Sequence, residues 1–277
     1  MPALKNGAES SPFGAGPDKG ARLRVMPVFG AVLLASDLTT ERDIRHFVPP
    51  QIAACATRIP FANPTTPENV RNTLPHLADA AALIAPEAVL SAIYFSCTSA
   101  SATLGEDAIR HAIAQTRPGV PVVTPVSAAA AAIAALGSRR PAILNPYIAE
   151  TGQMVIDAFC ALGMELAGQR CLGMANDQDM ARMDADTLTE IAAKALPDGA
   201  DALFISCTAL PAAQLAGRIE RRLGVPVLTS NLAALWACLR LSGFEDSHPD
   251  GGTLMTLPLP ADSLDLGRTA KETALSA

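Results

Sequence analysis

Three stretches of this 277-residue chain occur twice, in the same order and at nearly the same offset. The segment Ile93-Tyr94-Phe95-Ser96-Cys97-Thr98 returns 110 residues later as Leu203-Phe204-Ile205-Ser206-Cys207-Thr208. The apolar run beginning at Gly30 has its counterpart at Arg140, again 110 residues on. Gly119-Val120-Pro121-Val122-Val123-Thr124 returns as Gly224-Val225-Pro226-Val227-Leu228-Thr229, 105 residues on. Both copies lead into an Ala- or Leu-rich helical segment that ends at a glycine, Gly137 or Gly243, as a C-terminal cap does. A chain that repeats itself this way predicts two homologous lobes related by a pseudo-two-fold axis.

Within each copy, short apolar runs alternate with helix-length segments. Gly30–Ala35, Ala53–Pro60, Ala92–Ser96 and Val120–Thr124 read as strands, with Pro67–Ile84 and Thr103–Thr116 as helices between them. The second copy offers Pro141–Pro146, Met164–Arg170, Ala202–Ser206 and Val225–Thr229. The pattern is that of βαβ units, so the expected fold is α/β. Each pseudo-symmetric lobe is expected to hold a mainly four-stranded parallel sheet flanked by helices, with the active site in the cleft between lobes. Residues 1–22 read as a flexible tail, 23–126 plus 231–260 as the first lobe, and 127–230 as the second. The Gly-, Pro- and Asp-rich stretch after the last helix should add a short edge piece at Thr253–Leu257, and 261–277 reads as a tail or terminal helix.

Composition removes several kinds of function. With 27 acidic against 21 basic side chains the net charge is −6, which disfavours nucleic acid and anionic membranes as partners. The longest apolar run, Ala128–Leu136, is far short of the roughly 20 residues of a membrane span. The first 20 residues lack the apolar core of a secretory signal. Only Lys194 lies away from the termini, in a polar-flanked helical stretch that suits no Schiff base. Six cysteines without a C-x-x-C and four scattered histidines predict neither a disulfide scaffold nor a metal site, but a reduced cytoplasmic protein. No G-x-G-x-x-G or Walker loop occurs, so no cofactor is expected.

Two of the cysteines stand apart. In a parallel α/β sheet the ligand site lies at the carboxyl ends of the strands, where Cys97 and Cys207 fall. Each should sit just before a helix, whose N-terminal amides favour thiolate. Pro211 would fall in the first turn of the second of these helices. The amides of Thr98, Ser99, Thr208 and Ala209 are placed to bind a carboxylate or an enediolate oxygen. Two thiols approaching one small carboxylate from opposite faces support two chemistries. One takes a carbon-bound proton while the other returns one, or one thiolate adds to a double bond that then rotates. The plainer alternative is that both cysteines pack in the core beside the strand ends.

These twin motifs, with Thr229-Ser230-Asn231 ahead of a helix containing Trp236, resemble the aspartate/glutamate racemase superfamily. Within it the chain is similar to the branch of maleate cis–trans isomerases and arylmalonate decarboxylases. Its likeness is greatest to ectoine-utilisation proteins of that branch, through Ala35 to Asp43, Asn63 to Asn69 and Ser96-Cys97-Thr98. The resemblance implies Cys97 as nucleophile or base and Cys207 as acid or second base. It also implies substrate contacts from Tyr147 and Asn176, with Ser127, Ser230 and Asn231 capping helices and the last two also reaching a substrate carboxylate. Asp37 stands where maleate isomerases carry an asparagine. A carboxylate there repels a dianion and suits a substrate with an ammonium or amidinium group, such as an ectoine-derived diamino acid, while a turn or helix cap is its other reading.

The expected activity is therefore a cofactor-independent isomerase or racemase acting on a small carboxylate. The alternatives are an arylmalonate-type decarboxylase and a non-catalytic ligand-binding protein of the ectoine pathway. A homodimer or higher homo-oligomer is expected, as is common for α/β proteins of this size.

Overall fold

The computed structural model of the protein describes residues 26–265; the tail expected at 1–22 and residues 266–277 lie outside the described residues. Strands β1 (Val28–Leu34), β2 (Ala53–Ile59), β3 (Leu90–Ser96) and β4 (Val122–Val123) form one sheet, in the order β2-β1-β3-β4. Strands β5 (Pro141–Tyr147), β6 (Gly168–Met174), β7 (Ala202–Ile205) and β8 (Val227–Thr229) form a second, in the order β6-β5-β7-β8. Every pairing is parallel. The two orders are one order written twice, which is the sequence repeat expressed in three dimensions.

The inner strands explain their unbroken apolar runs. Phe29, Ala31, Ala92 and Tyr94 face one side of the first sheet, and Val32, Leu34, Ile93 and Phe95 the other. A parallel sheet covered on both faces requires this. The outer strands β2 and β6 keep exposed positions. Gly30 marks a close approach, because a Cβ there would lie 2.7 Å from the Ile84 side chain.

Helices fill the connections. The first lobe has α1 (Thr40–Phe47), α2 (Pro67–Arg71), α3 (Leu77–Ala82), α4 (Thr98–Leu104) and α5 (Glu106–Ala114). After α6 (Pro125–Leu136), the second has α7 (Ala149–Ala161), α8 (Asp177–Ala181), α9 (Ala185–Ala195) and α10 (Ala216–Leu223), and α11 (Ser230–Leu241) closes the series. The helix expected over Pro67–Ile84 is divided, with a 3-10 turn at Leu74–His76 where Pro75 lacks an amide hydrogen. That expected over Thr103–Thr116 is broken at Gly105, whose φ of 79° ends α4. Strand β6 begins four residues later than Met164, at Gly168, where its pairing with Ala142 starts. The edge piece expected at Thr253–Leu257 is a 3-10 turn over Leu254–Thr256. Its carbonyls serve side chains instead of a strand: Trp236 Nε1 donates to Leu257 O at 2.9 Å and Arg240 Nη2 to Met255 O at 2.6 Å.

Helices α6 and α11 pack against each other between the sheets. Helix α11, which follows the last strand of the second sheet, lies on β3 of the first, and α6 touches β8 of the second. Both are apolar nearly all round, as helices buried on every side are. Their N-termini are capped alike, Thr124 accepting from the Ser127 amide at 3.1 Å and Thr229 from the Leu232 amide at 3.2 Å. Thr229→Ala is expected to destabilise the protein by about 0.5–2 kcal/mol in urea unfolding, while Thr229→Ser retains most of the cap.

Candidate active site

The carboxyl ends of the two sheets face each other, and the contacts between them run through the residues singled out in the sequence. Thr98 Oγ1 lies 2.8 Å from Ser230 Oγ, which also accepts from the Cys207 amide at 3.0 Å. The Thr208 carbonyl accepts from Asn231 Nδ2 at 3.0 Å and from the Thr39 hydroxyl. Cys97 and Cys207 are each only 3% exposed, so the thiols lie inside a closed interface. The cavity of about 480 Å³ bordered by Met26, Pro27, Gln51 and Phe244 belongs to the opposite, amino-terminal ends of β1 and β2.

Cys97 occupies the N-cap of α4, where its Sγ accepts from the Ala100 amide at 3.4 Å and sits 3.4 Å from Ser99 Oγ. Cys207 differs. Residues 208–212 form a turn instead of the expected helix, and α10 starts only at Ala216. Pro211 both biases Leu210 away from helical geometry and withholds an amide, so the repeat's second helix is delayed. Its thiol accepts from the Ala209 amide at 3.3 Å and interacts with the Tyr147 hydroxyl.

Amide contacts were expected to favour thiolate, yet burial dominates. It pushes the Cys97 thiol up to about 12, against the hydrogen bonds from Ser99 and Ala100, and the carboxylates of Asp177 and Asp37 push the same way. Cys207 is likewise pushed up to about 12, by burial and then by Asp177, with Tyr147 and the Ala209 amide opposing. Each thiol titrates in the field of charges at this one interface, and Cys97 acts on Cys207 directly. Both are therefore protonated at neutral pH in this closed form. Alkylation follows: at pH 8 iodoacetamide is expected to modify the exposed Cys160 and Cys171 well before Cys97 and Cys207. The rate at the two buried thiols should then climb about tenfold per pH unit up to about pH 11, as their thiolate fraction does. Peptide mapping across that range checks it; a plateau near pH 8 at Cys97 would contradict the burial.

Asp177 is the residue that the sequence did not single out. It lies at the start of α8, is 6% exposed, and ties the lobes together. Its Oδ2 accepts from Ser36 Oγ at 2.6 Å, its Oδ1 from Thr65 Oγ1 at 3.0 Å, and its amide donates to Asn63 Oδ1 at 3.2 Å. Each carboxylate oxygen keeps one further acceptor position. Burial raises its pKa, the two hydroxyls opposing, and its charge bears on Cys97, Cys207 and Tyr147 alike.

The other expected contacts divide. Tyr147, 2% exposed, stands beside both thiols. Asn176 adjoins Asp177 and caps α8, accepting from the Gln178 amide at 2.8 Å. Asp37 is committed to its own turn. Its Oδ1 accepts from the amides of Thr39 and Thr40, and its Oδ2 from the hydroxyls of Thr40, at 2.6 Å, and Ser96. Asn231 Oδ1 accepts from the Tyr94 hydroxyl at 2.8 Å, while Nδ2 donates to Asp43 and Thr208. In this closed form both residues brace the interface through these hydrogen bonds. Asp43, buried and raised to about 6 by desolvation, is held by Asn231 and Gln214.

Comparison with known proteins agrees with this fold. The family model for arylmalonate decarboxylase matches residues 64–255. Arylmalonate decarboxylase of Bordetella bronchiseptica is 34% identical over 128 residues, 45% of this chain and 53% of the relative, so the match spans about half that protein's length. Maleate isomerase of Pseudomonas putida is 25% identical over 187 residues, 65% of this chain and 75% of the relative. In three dimensions the chain is similar to a cysteine-to-serine mutant of Nocardia farcinica maleate cis–trans isomerase with a covalently bound succinylcysteine intermediate. That likeness has a TM-score of 0.75 at 22% identity and covers 84% of this chain and 99% of that one. The chain belongs to the arylmalonate decarboxylase family.

Proposed function

We propose that this protein is an isomerase or racemase that uses Cys97 and Cys207 on a small carboxylate bearing a cationic nitrogen, of the kind formed in ectoine or hydroxyectoine breakdown. The observation that carries the reading is the Asp177 carboxylate, buried at the interface where it acts on both thiols while keeping acceptor positions open. Burial, with its field added, holds the thiols protonated. A dianion such as maleate would strengthen that effect, whereas an ammonium or amidinium group beside Asp177 would offset the carboxylate's share of it and make a thiolate easier to form. Cation recognition thus passes from Asp37, where the sequence suggested it, to Asp177.

Two courses of reaction fit. In racemisation one cysteine, as thiolate, takes the proton from the substrate carbon. The other, as thiol, returns a proton to the opposite face, and the pair ends with its protonation states exchanged. In cis–trans isomerisation a thiolate adds to the double bond, the single bond so formed between the carbons rotates, and elimination restores both the double bond and the thiolate. The covalent succinylcysteine in the Nocardia farcinica enzyme supports the second course for that protein. The Ser99 amide, in the first turn of α4, would take up charge that develops on the substrate carboxylate in either course, while the Ala209 amide supports the Cys207 sulfur.

Proton NMR in deuterated buffer, with maleate and with ectoine-derived intermediates offered separately, tests the proposal. Deuterium entry at a stereocentre, or geometric conversion, of the cationic substrates supports it. Turnover of maleate alone would overturn the cation requirement. The family model favours one other reading, decarboxylation, which carbon dioxide release from an arylmalonate would reveal.

A further inference from the structure

Two histidines that lie 202 residues apart in sequence meet on the surface. His46, in the last turn of α1, places Nε2 2.9 Å from Asp250 Oδ2. The His248 ring lies with its centroid 4.8 Å from that of His46, and the Phe47 ring meets both edge-on at the same separation. One nitrogen of each imidazole and one oxygen of Asp250 lie within 4.8 Å of one another. All three side chains are half-buried.

We propose that His46, His248 and Asp250 form a binding site for a divalent transition-metal ion, zinc or cobalt in kind. Two imidazoles with one carboxylate are the ligand set such ions prefer, with water completing the shell. Bonds of about 2.0 Å put tetrahedral ligand atoms about 3.3 Å apart, so the three groups must draw in by about 1.5 Å at most. Half-exposed side chains allow this. The proton that His46 shares with Asp250 is displaced by the ion, and Phe47 backs the ring of His248 so that little rotamer freedom is lost on binding. The ligands also join segments that are far apart in the fold. His46 belongs to the first lobe, while the turn Pro249–Gly251 is seated on α10 of the second. There the backbone carbonyls of Pro249 and Asp250 approach to 3.1 Å of where a Gly217 Cβ would stand, and Thr253 donates to Glu220 at 2.9 Å. An ion at this site is a cross-link between lobes, independent of the thiol chemistry.

The test is cobalt titration of the full chain after dialysis against chelator, followed by visible absorption, with zinc competition and thermal melting beside it. Expected are one cobalt per chain, displaced by zinc, and a melting temperature raised by several degrees in excess zinc. His46→Ala and His248→Ala should each weaken cobalt binding at least tenfold and abolish the zinc shift; both positions are at the surface, so both variants should fold. Magnesium should not compete. Absence of cobalt binding at millimolar concentration overturns the proposal. So do thiolate-to-cobalt charge-transfer bands that persist in His46→Ala, because they would place the ion on exposed Cys160 or Cys171.

Discussion

Cys97→Ser lowers kcat/KM by about 10²–10⁴-fold on the substrate identified by the exchange experiment, the range for removal of a positioned general acid or base. Serine keeps the volume and the helix cap, so the loss reports chemistry and not collapse of a buried site. The matching change at Cys207 separates the two courses of reaction. If the thiols work as an acid–base pair, each single variant retains deuterium exchange from one face of the substrate and loses inversion. If one thiolate adds to the substrate, the variant lacking the other cysteine accumulates an adduct, visible as a mass increase on the remaining cysteine. Activity equal to the unaltered protein in Cys97→Ser would end the catalytic reading of the pair.

Asp177→Asn is expected to act in opposite directions on the thiols and on the substrate. Removing the negative charge lowers the pKa of Cys97 and Cys207, because that charge now opposes both thiolates. Their alkylation at pH 8 should therefore speed up. A cationic substrate meanwhile loses its partner, and KM should rise about 30-fold or more, the lower end of the 2–5 kcal/mol for truncating a buried charge pair. Asparagine still accepts from one of Ser36 and Thr65, and either hydroxyl can turn to accept in its place, so the interface persists. With maleate the sign reverses, and KM should fall. Parallel measurement of KM and of alkylation rate checks both halves; an unchanged KM with faster alkylation would confine Asp177 to tuning the thiols.

The architecture was legible because it is written twice. A strand ending in Ser-Cys-Thr, repeated 110 residues later, fixes both the parallel sheets and the position of each thiol at a strand end. What the repeat concealed were departures from itself. Cys97 caps a helix and Cys207 opens a turn, a difference that resides in Pro211. The thiol environment was misjudged for a physical reason: local amides can be anticipated from a strand–helix junction, but burial and the approach of Asp177 depend on how two lobes close. Asp37 attracted attention through its place in a motif, whereas its carboxylate is saturated by its own turn and by Ser96. Asp177 went unnoticed beside Asn176, since nothing local distinguishes an acid at a helix start from a solvated one. His46 and His248 read as scattered for the same reason, their meeting being a property of the packed chain.

The exchanged helices have a consequence for how such a molecule can be assembled. Because α11 rests on the sheet of the first copy and α6 reaches the sheet of the second, neither copy of the repeat contains its own complete core. Each half-length chain would leave an apolar helix without its docking surface, a state that a small domain cannot tolerate. The folding unit is thus the duplicated whole, expected to unfold in one cooperative transition and not lobe by lobe.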